Sequence, residues 1–222
     1  MSFKVFILGR PGSGKTTAAR SISKLAEARG LSALHLNDYD VLKQMFLADT
    51  EHRIFRPTAH HGFDVLDFSI LDTALQELGN VVERYSVSKD IITIEFARDN
   101  YHQALQNFKY ELLHDACFLY IDATFETCLR RIHNRVALPA TEDDHPSLSD
   151  ELFKIYYRED HTPYMLSDFS LDFHISVGQV GIIENKGSYE SFLVKTYETL
   201  DTFLALIPSL SQAQRILSGS VS

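Results

Sequence analysis

Residues 9–16 read Gly9-Arg10-Pro11-Gly12-Ser13-Gly14-Lys15-Thr16: a glycine, four residues, then Gly-Lys-Thr, with one more glycine inside. An apolar, β-prone run, Phe3 to Leu8, stands directly before it. After it, Lys15 to Arg29 places Ala18, Ala19, Ile22, Leu25 and Ala26 at helical spacing and stops at Gly30. A buried strand, a glycine-rich turn and a helix in that order build a phosphate cradle. Glycines let the main chain wrap until successive N–H groups point inward at phosphate oxygens. The helix adds the positive end of its dipole. Lys15 is expected to reach the outer phosphates of a nucleoside triphosphate, and Thr16 to offer its hydroxyl to Mg2+. The expected nucleotide contacts are Gly9, Arg10, Pro11, Gly12, Ser13, Gly14, Lys15, Thr16 and Thr17. A charge pair at ~4 Å near a protein surface is worth ~4 kcal/mol, so one lysine is a major part of placing a phosphate.

The rest of the molecule makes that cradle stand out. The formal net charge is −9 over 222 residues, which argues against nucleic acid or an anionic membrane surface as a main partner. Cations that serve a triphosphate must therefore gather locally. Hydrophobic residues at 45% and charged residues at 23% suit a folded domain with a substantial core. Met1 to Leu8 has neither the length nor the cleavage site of a leader, and no apolar run reaches membrane-spanning length. Cys117 and Cys128 are too few for a disulfide framework and read as buried thiols, so a cytoplasmic setting is expected. Ten histidines include the neighbours His60 and His61, but none forms a zinc-helix pair.

Strands are expected at Leu31–Leu36, Ile91–Phe96, Cys117–Asp122 and Phe173–Val177 besides the first. Helices are expected over 40–48, 70–85, 100–116, 125–136, 150–160 and 189–206, with an irregular stretch around 57–62. Alternating strands and helices imply an α/β fold of three layers, a parallel sheet of about five strands with helices on both faces. Ligands in such sheets sit at the carboxyl ends of the strands. One domain is expected over 1–207. An acceptor-binding segment would cover about 38–86, a short lid about 136–149, and a frayed Ser-rich tail 208–222.

Three constellations fall on the cradle side. Asp38-Tyr39-Asp40 follows the second strand. Its carboxylates suit Mg2+ through water, an acceptor, or the proton of an acceptor hydroxyl; Asn37 or Asp38 equally suits a helix cap. Glu95 ends the third strand as a partner for Mg2+, and Arg98 behind it can fork onto an acceptor phosphate or carboxylate. Arg130, Arg131 and Arg135 lie on one basic helix, with Arg131 and Arg135 four apart on one face. Such a pair can reach a triphosphate and offset charge that develops in transfer; a solvated basic face is the plain alternative. Arg53 and Arg56 would serve an anionic acceptor, or are simply exposed.

With these residues in place, the chain resembles the nucleoside and nucleotide kinase group of P-loop kinases, the adenylate kinases included. Phe96-Ala97-Arg98 with Gln103-Ala104 is similar to that group's Phe-Pro-Arg and Gln-Ala. Arg131-Ile132-His133-Asn134-Arg135 is similar to its Arg-Ile-x-Gly-Arg at the start of the lid. Asp143-Asp144 and Tyr156-Tyr157 to Thr162-Pro163 resemble the segment after it, where His145 is a further candidate contact. The resemblance implies a P-loop fold, ATP and Mg2+ as cofactors, Arg98 and Gln103 on the acceptor, Arg131 on the donor base and Arg135 on phosphates. It departs in several respects: Glu95 stands directly before Phe96 where the group has Asp, the lid is short, only Arg158 follows it closely, and Asp38-Tyr39-Asp40 resembles the Asp-x-Asp of shikimate-kinase-like enzymes, which phosphorylate a hydroxyl.

The expected activity is therefore transfer of a γ-phosphoryl group to a nucleotide or nucleoside, with a hydroxyl-bearing metabolite as the alternative. A switch NTPase is the reading from another class. It lacks support, because Asn185-Lys186-Gly187-Ser188 has no Asp where a guanine-reading motif carries one.

Overall fold

The computed structural model describes residues 2–58, 62–137 and 148–206. His60, His61, Asp143, Asp144, His145, most of the expected lid and the 208–222 tail lie outside them. Five strands form one parallel sheet: β1 (Phe3–Leu8), β2 (Ala33–Asn37), β5 (Ile91–Glu95), β6 (Ala116–Asp122) and β7 (Val180–Glu184). Their order is β2-β5-β1-β6-β7. β1 is central, with Ile7 opposite Glu95 on one side and Leu119 on the other. The chain leaves β1 at the point where the strand order reverses, which is where α/β sheets open a crevice.

The apolar run of β1 is continuous because both of its faces are covered. Phe6 and Leu8 join Ile92, Ile94, Phe118 and Tyr120 under α3 (Ser69–Tyr85), α4 (Tyr101–Leu105), α5 (Tyr110–His114), α8 (Thr162–Ser167) and α9 (Phe169–Asp172). Val5 and Ile7 join Cys117, Leu119 and Ile121 under α1 (Lys15–Ala28) and α10 (Tyr189–Ala205). Both cysteines are buried free thiols. No helix among the described residues is long and apolar enough to cross a membrane.

Four local expectations are corrected. The last strand is Val180–Glu184, not Phe173–Val177. Phe173 and Ile175 are apolar because they plug the core from a loop. The helix read over 100–116 is two short helices, because Asn107 turns its amide back onto the Ala104 carbonyl (3.2 Å) and across to Asp72 (2.8 Å). The irregular stretch carries a hairpin, β3 (Phe55–Pro57) against β4 (Phe63–Val65). Its Phe55 and Phe63 pack with Leu42 of α2 (Asp38–Ala48) and Leu71 of α3. Finally, α7 (Asp150–Tyr156) ends before Asp160.

Candidate active site

The cradle takes the backbone its glycines allow. Gly12 and Gly14 have φ of 79° and 111°, in the left-handed region that L side chains avoid. Space forbids a side chain as well: a Cβ would stand 2.6 Å from the Cys128 carbonyl at Gly12 and 2.6 Å from Asn185 Nδ2 at Gly14. Gly14 is the N-cap of α1, so the helix begins at Lys15 with its first amides turned to the loop.

A cavity of about 470 Å3 opens over this turn. Lys15, Arg20, Arg98, Arg131 and Arg135 line it against Asp38 and Glu95, so cations outnumber carboxylates here on an otherwise acidic protein. Lys15 is buried, with Nζ 3.1 Å from the Arg10 carbonyl and 3.8 Å from Glu95. Burial holds its pKa below the usual lysine value, with Glu95 and Asp38 pulling the other way. A buried ammonium beside a glycine-rich turn at a helix N-terminus fits a triphosphate.

Glu95 joins three neighbours. Thr16 Oγ1 donates to Oε1 at 3.0 Å, Lys15 approaches the same oxygen, and His35 Nε2 lies 3.0 Å from Oε2. Burial opposes ionisation, yet the His35 hydrogen bond, the Lys15 charge and Thr16 together hold the carboxyl below its ordinary pKa. Thr16 and Glu95 are hard oxygen donors of the kind magnesium takes. Among the described residues no cluster of three His, Cys, Asp or Glu side chains is set to cage a metal.

The end of the cavity beside β2 is built differently. Asn37 caps α2 by accepting the Tyr39 amide at 2.9 Å, which drives Asp38 inward at the carboxyl end of β2. Asp38 closes on Arg98 in a buried ion pair, both about 5–7% exposed. Arg98 also donates to the carbonyls of Ala97 (2.7 Å) and Leu71 (3.0 Å). Burial raises the Asp38 carboxyl above its ordinary pKa, and Arg98 and Lys15 reverse this only in part. Around the pair stand Tyr39, Phe63, Val65, Phe68, Leu71 and Tyr156. Two of their contacts are parallel stacks, Tyr39 on Phe63 at 5.6 Å and Phe68 on Tyr156 at 5.1 Å.

The expected site residues divide. Pro11, Gly12, Gly14, Lys15, Thr16, Thr17, Asp38, Glu95, Arg98, Arg131 and Arg135 line one cavity. Asp40, Arg53, Arg56 and Gln103 do not. Asp40 lies two residues beyond Asp38 on the helix and is turned to solvent. Arg53 pairs with Glu51, and Arg56 with Asp64 across the hairpin. Gln103 is on the exposed side of α4. The Arg10 side chain is turned away from the cavity, donating to the carbonyls of Tyr157 (2.9 Å), Ala123 (3.2 Å) and Glu159. Its guanidinium braces the cradle from behind. Gly9 gives its amide to the Tyr101 hydroxyl at 2.8 Å, and Ser13 is fully buried.

Arg131, on α6 (Phe125–Ala137), donates to the carbonyls of Ser13 (3.2 Å) and Asn185 (3.2 Å). The other residues of this corner were not expected from the sequence. Asn185 Nδ2 donates to the same Ser13 carbonyl at 2.7 Å. Asn185, Gly187 and Tyr189 form the cavity wall beyond β7. The Asn-Lys-Gly-Ser stretch was visible, but only its missing Asp was informative. His35 shows as one polar residue between Leu34 and Leu36 in a strand, a weak signal.

Sheet order, cradle and flanking helices define the fold that P-loop kinases share. The chain is similar to known kinases in sequence and in fold. The chain is 26% identical over 156 residues to adenylate kinase isoenzyme 1 of Cyprinus carpio, covering 69% of this chain and 75% of the carp protein. The APS kinase of Mycobacterium tuberculosis, solved with AMPPNP and APS, superposes with a TM-score of 0.53 at 14% identity, covering 90% of this chain and 98% of that one. Shikimate kinase from Acinetobacter baumannii, solved with shikimate, gives 0.48 at 13% identity, covering 100% and 97%. No family model matches the chain.

Proposed function

We propose that this protein is a Mg2+- and ATP-dependent phosphotransferase whose acceptor is a hydroxyl group on a small ring-bearing molecule, a nucleoside among them. The buried Asp38–Arg98 pair between apolar and aromatic walls carries the proposal. An acceptor phosphate calls for cations of its own. Arg98 is already closed on Asp38, and Arg53 and Arg56 stand outside the cavity. A hydroxyl calls instead for a proton acceptor, and a carboxylate whose pKa is raised by burial is suited to that task.

In this reading the cradle amides and Lys15 hold the β- and γ-phosphates. Thr16 and Glu95 would hold Mg2+, and the bound ion would supply positive charge against the charge that develops on the transferred phosphoryl group. Arg131 and Arg135 face the donor side, and Arg131 keeps the turn around Ser13 in shape. Asp38 receives the acceptor proton while Arg98 fixes its carboxylate. Transfer then depends on alignment and electrostatic support rather than on a covalent intermediate. The buried thiols support a reducing compartment such as the cytoplasm.

A nucleotide acceptor is the second reading, supported by the likeness to the carp adenylate kinase. The test is acceptor-dependent ADP release with Mg-ATP against nucleosides, nucleoside monophosphates and small polyols. Turnover on hydroxyl acceptors is expected. Turnover on monophosphates alone would transfer the assignment to the second reading.

A further inference from the structure

We infer that His35 is a positioning residue for the metal end of the site: its Nε2–H fixes the Glu95 carboxylate in the orientation that meets Thr16. The inference rests on the reading of the cavity as a Mg-ATP site. β2 and β5 are hydrogen-bonded neighbours, with His35 opposite Thr93 and Asn37 opposite Glu95. Leu34 and Leu36 turn into the core on either side, which sends the intervening side chain to the other face. There its Nε2 lies 3.0 Å from Glu95 Oε2, while Thr16 occupies Oε1. A carboxylate acceptor puts the proton on Nε2.

The two oxygens of Glu95 thus have separate fixed donors, one on the cradle and one on the sheet edge. Lys15 is the third neighbour, and it is the one a triphosphate recruits. Once Lys15 turns to phosphate, His35 is the donor that keeps Oε2 in place and so keeps Oε1 aimed at Thr16. Without it the carboxylate is free to rotate about its last bond, and the metal loses an oriented partner. Partners that orient metal-binding side chains typically matter by about 10–100-fold in metal affinity.

Three variants separate the hydrogen bond from packing. His35→Leu removes the donor. His35→Gln keeps an N–H at about the reach of Nε2, and His35→Asn keeps polarity but falls short of it. The readout is calorimetric binding of a non-hydrolysable ATP analogue, with and without Mg2+. In the unaltered protein Mg2+ should strengthen binding. His35→Leu and His35→Asn should lose most of that gain, about tenfold or more, while metal-free binding stays put and the protein remains folded. His35→Gln should restore it. An undiminished Mg2+ gain in His35→Asn, or a Gln variant as poor as the Asn one, would overturn the inference. If the unaltered protein itself gains nothing from Mg2+, the Mg-ATP reading falls, and this inference with it.

Discussion

Asp38 and Arg98, 60 residues apart in sequence, meet as a buried ion pair in the wall of the cavity over the cradle. Removing one member of such a pair leaves an uncompensated charge, which costs about 3–5 kcal/mol. Asp38→Asn should therefore lower stability by that order in urea denaturation. It should also cut kcat for a hydroxyl acceptor by about 10²–10⁴, the usual worth of a general base. Normal turnover in a folded Asp38→Asn protein would remove Asp38 from the chemistry.

Lys15→Ala should leave the fold standing. Glu95 keeps Thr16 and His35 when Lys15 is removed, so its buried carboxylate is not left without partners. An unfolding midpoint within about 4 °C of the original is expected. Transfer should fall by about 10²–10³ or more, the scale of a lost donor to developing charge. Unchanged turnover would move the phosphate site elsewhere.

Arg53→Ala should change neither stability nor catalysis. Its partner Glu51 is exposed, and such pairs contribute about 0–1 kcal/mol. A large rise in KM for an anionic acceptor would show that the arginine swings into the site.

His161 supplies a pH dependence. Its ring packs edge-on against Tyr101 at 5.1 Å. Burial first, and then the Arg10 charge, hold its pKa below the usual 6.5. The folded protein thus binds this proton less readily than the unfolded chain does. The stability it contributes is present above pH 6.5 and is lost as pH falls through the lower folded value. The urea midpoint should drop in that window, and His161→Phe should flatten the drop. Equal slopes in both proteins would exclude His161.

The cradle and the alternation of strands and helices were legible because both are local signals: glycine spacing, and apolar runs bounded by turns. The last strand was not, and Gly181 shows why. A glycine inside a short apolar run reads as a break. In the fold it is there because a Cβ would stand 2.4 Å from Thr199 of α10, a contact no local pattern announces. The acceptor end was half legible. Asp38 and Arg98 were visible as chemistry, but their mutual neutralisation depends on β2 and β5 lying side by side. Arg53 and Arg56 looked available only because Glu51 and Asp64 were not seen beside them.

The Ser13 carbonyl ties the motif to the far end of the chain. Its donors, Arg131 and Asn185, come from 118 and 172 residues downstream. A nascent chain carries the whole glycine signature almost as soon as it emerges, yet cannot clasp it until the final strand has docked. A product truncated before Val180 would carry the glycine signature without the Asn185 clasp on its Ser13 carbonyl.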